Sequence, residues 1–226
     1  MIVLGCDPSL TAFGWTVVDT EIEGPDQLIG HGVIKTSSDE LYIKRYLHHK
    51  ESLREIVETY DVEYAGIERP PPNSSWSAGL YPVWMYASEV FFKNRISFCI
   101  LMPPTLKKFA REILGVGGQK MEKQDMKAAA KKLMDGYKGK GRMNHNVADA
   151  YLEAYYAGRF KKCLDGELSE SDLTEKEKDT FTKTIKRRKT GRIDKVGMVY
   201  NEGEKHYDFN SDKYDEHYEE QKSIFD

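Results

Sequence analysis

The chain has 226 residues, of which 39% are apolar and 31% charged, and its formal net charge is −3. That length suits one domain with an appendage, or two small domains. No apolar run approaches the roughly 20 residues of a membrane span, and no basic segment precedes Ile2-Val3-Leu4, so neither a membrane partner nor a secretory signal is expected.

Residues 1–7 read as a buried strand that ends in Asp7. A carboxylate at the edge of an apolar sheet is costly unless it is paired, hydrogen-bonded or holding a metal. Asp7-Pro8-Ser9 is also ordinary turn chemistry, and the stretch alone leaves both readings open. "FGWTVVD" (13–19) and "LIGHGVIKT" (28–36) read as second and third strands, whose short linkers predict an antiparallel meander. From Asp39 to Tyr60, Leu41, Tyr46, Leu47, Leu53, Ile56 and Val57 recur at helical spacing, with Ser38 or Asp39 as N-cap. "VEYAGIE" (62–68) is a fourth strand, and it too ends in a carboxylate, Glu68. "RPPPNSSWSAG" (69–79) is a loop, followed by a helix to about Lys93. "ISFCILM" (96–102) is a fifth strand. "TLKKFAREIL" (105–114) is a helix with Pro104 near its start, and helices over 121–134 and 146–160 flank the "DGYKGKGRMN" loop.

The order β-β-β-α-β-α-β-α-α-α predicts an α/β domain over residues 1–160. Residues 161–226 are expected to be a charged C-terminal extension, partly mobile or docked, with a basic stretch at 183–195 and an acidic, tyrosine-rich end at 202–226. Cys6, Cys99 and Cys163 lack metal spacing, and two lie in apolar strands, as reduced thiols of a cytoplasmic protein would.

The small net charge hides an uneven distribution. Residues 93–142 hold thirteen Lys/Arg against four Asp/Glu, a net of +9, so the remainder carries −12. Such a segment suits a polyanion, although each lysine taken singly is also an ordinary solvated helix position.

Three carboxylates carry the chemistry. If the first and fourth strands pair, Asp7 and Glu68 meet at their ends. Asp149, in "NHNVADAYLEAYYAGRF" (144–160), lies near the start of a helix whose Val147, Ala150, Tyr151 and Ala154 can pack on the sheet. An acid there can merely complement the helix dipole. Asn146 and His145, three and four residues earlier, share its face. Like charges held close together need a cation. Hard oxygen ligands favour Mg²⁺ or Mn²⁺ over zinc. Two such ions about 4 Å apart activate a water and stabilise the leaving oxygen of a phosphodiester.

The motifs "GCDPSLTAFGW", "AGIERP", "PPTLKKFA…KMEKQDM" and "HNVADAYLEAYYAG", in this order, resemble the RuvC family of Holliday-junction resolvases, within the ribonuclease H-like superfamily, over roughly residues 1–160. The resemblance implies a ribonuclease H-like fold with a five-stranded mixed sheet flanked by helices. It implies two divalent ions, Mg²⁺ with Mn²⁺ able to substitute, held by Asp7, Glu68, Asp149 and the residue three before Asp149. The family commonly places an acid or histidine there; this chain has Asn146, with His145 as the alternative. Lys107, Lys108 and Lys123 would lie along the DNA face, and Lys123 or Lys120 would support the scissile phosphate. Trp76, or Tyr81 beyond it, stands where the family often wedges an aromatic into the junction. The activity implied is resolution of a four-way DNA junction by a homodimer, water attacking in line to leave 5′-phosphate and 3′-hydroxyl ends. A phage-encoded member acting in the host cytoplasm fits the wording of the motifs. Two rivals stand beside this reading: a relative acting on other branched DNA or RNA–DNA hybrid, and a junction-binding protein that does not cleave, which Asn146 makes conceivable.

Overall fold

The computed structural model describes residues 1–70, 77–118, 120–134, 144–185 and 198–199. Strands β1 (Ile2–Asp7), β2 (Ala12–Asp19) and β3 (Leu28–Lys35) form the antiparallel meander. Helix α1 (Tyr42–Tyr60) crosses to β4 (Tyr64–Glu68), which lies parallel to β1. Helix α2 (Ser77–Lys93) crosses to β5 (Ser97–Leu101), parallel to β4. Helices α3 (Pro103–Leu114), α4 (Lys123–Leu133), α5 (His145–Leu164) and α6 (Glu175–Ile185) follow. The five expected strands are present, and a two-residue strand β6 (Met198–Val199) adds antiparallel to β5, giving the order β3-β2-β1-β4-β5-β6.

The sheet separates two cores, as strand alternation requires. Leu4, Cys6, Val17, Ala65 and Ile67 pack under α1 and α2 with Leu53, Val83 and Phe91. Val3, Tyr64, Cys99 and Leu101 pack under the other helices, with Phe109, Tyr151, Tyr156 and Phe160. Phe181 of α6 stands edge-on to Tyr156 and Phe160, at 5.1 and 5.3 Å between ring centroids, so the chain beyond residue 160 contributes to this second core. Cys6 and Cys99 are buried and all three cysteines are free thiols. No helix among the described residues is long and apolar enough to cross a membrane.

Helix α5 seats the functional end of the molecule. A Cβ on Gly5 of β1 would stand 1.9 Å from the Ala150 carbonyl oxygen, and one on Gly14 of β2 would stand 2.3 Å from that of Asn146. Only glycine lets the helix backbone lie this close to the sheet. The Thr16 hydroxyl then donates to the Val147 carbonyl at 3.2 Å.

Two expectations for α1 are corrected. Neither Ser38 nor Asp39 caps it; Leu41 occupies the N-cap with no side-chain bond. The polar side chains close a local turn instead, the Asp39 amide donating to the Ser37 hydroxyl and the Ser37 amide to Glu40. Leu41 and Leu47, expected on the packed face, are exposed, while Arg45 and His49 are buried.

Candidate active site

Parallel pairing of β1 with β4 matches Gly5 to Gly66 and Cys6 to Ile67. The next step in register brings Asp7 beside Glu68, on neighbouring strands about 4.8 Å apart. Alternation turns both toward α5, because Gly5 and Gly66, two residues earlier, are the positions against which α5 lies. The cap of α5 is local: Asn144 accepts from the Asn146 amide at 3.1 Å, which starts the helix at His145 and sets Asp149 in its second turn.

The three carboxylates sense one another. Burial pushes the Asp7 carboxyl well above the usual range, and the charges of Glu68 and Asp149 push it further, with Lys123 opposing. Burial, then Asp149, raise Glu68 to about 7 against the pull of Lys107. Burial raises Asp149 to about 6, with Lys123 and Lys107 opposing. Oδ1 of Asp149 is buried without a hydrogen-bond partner. Crowded oxygen donors, excess negative charge and an unpartnered buried oxygen fit a hard divalent cation. Among the described residues no group of three His, Cys, Asp or Glu side chains forms a ready metal cage. Asp7 and Glu68 stand at adjacent strand ends, and Asp149 lies on the helix packed against those strands.

The other expected residues divide. The Asn146 side-chain amide donates to the Ala12 carbonyl at 2.7 Å and so ties α5 to β2. Burial, with Lys123 and Lys127 nearby, holds the His145 imidazole below its ordinary value, in the neutral form able to ligate. Lys123, at the start of α4, acts by its charge on Asp7 and Asp149; Lys107 acts in the same way on Glu68 and Asp149. Lys108 instead pairs with Asp179 of α6. Lys120 is exposed and pairs with Glu122 at 3.2 Å. Trp76 and the basic and acidic stretches of 183–195 and 202–226 lie outside the described side chains, and Tyr81 is partly buried in α2.

Two features were not anticipated. Leu10, in the turn after Asp7, offers its carbonyl to Arg45 Nη2 at 3.1 Å, His49 Nε2 at 3.0 Å and the Thr36 hydroxyl at 2.5 Å. Buried cationic and neutral donors on α1 thereby fix the chain that leaves Asp7. Glu153, one turn beyond Asp149, is fully buried. Its position in the stripe Asn146, Asp149, Ala150, Glu153, Ala157 was a legible signal, since those residues share the helix face that meets the sheet.

Comparison with known proteins finds similarity in sequence and in fold. The family model for crossover junction endodeoxyribonuclease RuvC matches residues 3–70. The RuvC crossover junction endodeoxyribonuclease of Orientia tsutsugamushi (strain Boryong) is 26% identical over 159 residues, covering 70% of this chain and 94% of the relative. That of Petrotoga mobilis is 35% identical over 69 residues, 30% of this chain and 42% of the relative. Thermus thermophilus RuvC in complex with Holliday-junction substrate superposes with a TM-score of 0.54 at 20% identity, over 68% of this chain and 90% of that one. The same protein in a second structure gives 0.55 at 22% identity with the same coverage.

Proposed function

We propose that this chain, RuvC-like in sequence and in fold, is an endodeoxyribonuclease that resolves four-way DNA junctions by paired nicks. The observation that supports the proposal is the parallel pairing of β1 with β4, which puts Asp7 and Glu68 at adjacent strand ends, with the charges of Glu68 and Asp149 both acting on the buried Asp7. Asp7, Glu68 and Asp149 would hold Mg²⁺ or Mn²⁺, with His145 beside them. When bound, two such ions supply the activated water and stabilise the leaving oxygen. The protein's own share is to fix the donors, to exclude bulk water from their buried sides, and to place Lys123 and Lys107 where a phosphate's charge would sit. The nicks would leave 5′-phosphate and 3′-hydroxyl ends. A two-fold junction cut at two related phosphates suits a homodimer.

The test is cleavage by the full chain of a four-way junction, a fork, a flap and an RNA–DNA hybrid, in Mg²⁺ and in EDTA. The proposal expects Mg²⁺-dependent paired nicks with the junction preferred. Preference for the hybrid would make the chain a different ribonuclease H-like nuclease, and junction affinity with no product in Mg²⁺ or Mn²⁺ would make it a binding protein alone.

A further inference from the structure

Position 146 is where a fourth ionic donor would complete the rim of Asp7, Glu68 and Asp149, and here it is spent on the fold. Asn146 gives its amide to Ala12, and as a neutral group it adds no charge toward a cation. One turn deeper on the same face of α5 stands Glu153. Its side chain is fully buried, and neither carboxylate oxygen has a hydrogen-bond partner. The Glu153 carbonyl oxygen lies 2.8 Å from where a Cβ on Gly66 would be, two residues before Glu68, so the helix is pressed against β4 at this point.

A carboxyl group in the core with no protein donor beside it is costly. A chain whose stripe otherwise reads alanine at this depth could place an apolar residue there. The neighbours of Glu153 give its location a direction: besides burial, the charges of Asp7, Glu68 and Asp149 act on its carboxyl, and all raise its pKa well above the usual range. An unpartnered buried acid thus lies one turn beyond Asp149, on the face of α5 that meets the sheet.

We propose that Glu153 is the inner carboxylate of the ion-holding site, supplying from below the negative charge that Asn146 does not supply at the rim. This rests on the reading of Asp7, Glu68 and Asp149 as a divalent-ion site, and it goes beyond that reading by adding a donor from a position outside the four implied by the resemblance. The side chain stores a cost in the ion-free protein and recovers it when a cation arrives.

Two measurements on the full chain test it, neither of them catalytic. Mn²⁺ titration by calorimetry should show Glu153→Gln weakening ion binding on the order of tenfold or more, as expected for a carboxylate that supports a metal, and Asp149→Asn should weaken it too. In EDTA, Glu153→Leu should raise the melting temperature by about 2–4 °C, because it removes an unpartnered buried acid, and should lose most of the shift that saturating Mn²⁺ gives the wild type. Glu153→Gln binding Mn²⁺ like the wild type while Asp149→Asn does not would overturn the proposal and leave the rim intact. A Glu153→Leu variant that is less stable in EDTA yet keeps the full Mn²⁺ shift would also overturn it. No Mn²⁺ uptake by the wild type would sink the underlying reading itself.

Discussion

The side-chain amide of Asn146 donates to the carbonyl of Ala12 across 2.7 Å, joining the first turn of α5 to the first residue of β2. The bond lies beside the site, since Asp149 is on α5 and Asp7 ends β1, paired with Gly14 of β2. Asn146→Asp exchanges a donor for a carboxylate facing a carbonyl, so it is expected to cost about 1–3 kcal/mol. Urea denaturation measures this, and a variant as stable as the wild type would show that the tie contributes nothing.

Packing of α5 on the sheet makes a sharper prediction. Gly5→Ala puts a methyl group 1.9 Å from a backbone oxygen, which flexible side chains cannot relieve, so destabilisation of about 1–3 kcal/mol or more is expected. Gly79→Ala meets only Leu10 Cδ2, at 3.5 Å, and should be neutral or slightly stabilising in α2. Comparing the two by chemical denaturation separates close approach from a general intolerance of alanine.

Acid dependence follows from the raised carboxyls. Asp149 moves from 3.8 to about 6 and Glu68 from 4.5 to about 7, so the fold favours their protonated forms. That contribution is fully present below the unfolded values and is lost as pH rises through 6 and 7, where the unfolded chain has already released those protons. In EDTA the melting temperature should therefore fall between about pH 4 and about pH 7, more steeply than in Asp149→Asn. Mg²⁺ should restore more stability at the higher pH. A wild-type profile as flat as the variant's would show that the carboxyls are not crowded.

The lysines sort by partner. Lys107 and Lys123 act by their charge on the rim carboxyls, so alanine at either should weaken junction binding and lower the salt slope by about one unit. Lys108 is committed to Asp179, so Lys108→Ala should leave junction affinity unchanged and cost at most about 1 kcal/mol of stability. Fluorescence anisotropy across a salt series reads both, and a loss from Lys108→Ala equal to that from Lys107→Ala would mean that the Lys108 side of α3 also meets DNA.

Much of this was legible in the sequence because its signals are local. Asp7 and Glu68 each close an apolar strand, and a parallel pairing was enough to bring them together. Asp149 announced itself by the helical stripe around it. What escaped depends on partners distant in the chain. Arg45 and His49 read as polar interruptions of an apolar helix face, and only the fold shows that the Leu10 carbonyl takes their hydrogen atoms. Lys108 could not be told from Lys107 until α6 supplied Asp179. The cap of α1 failed because Ser37 and Glu40 use the same side-chain chemistry to close the preceding turn.

Cleavage by Asp7→Asn measures the central claim most directly. The substitution keeps the shape of the side chain and removes its charge, so a four-way junction should bind with nearly wild-type affinity and remain uncut in both Mg²⁺ and Mn²⁺. An Asp7→Asn protein that nicks the junction at the wild-type rate would place the chemistry somewhere other than the rim where Asp7, Glu68 and Asp149 meet.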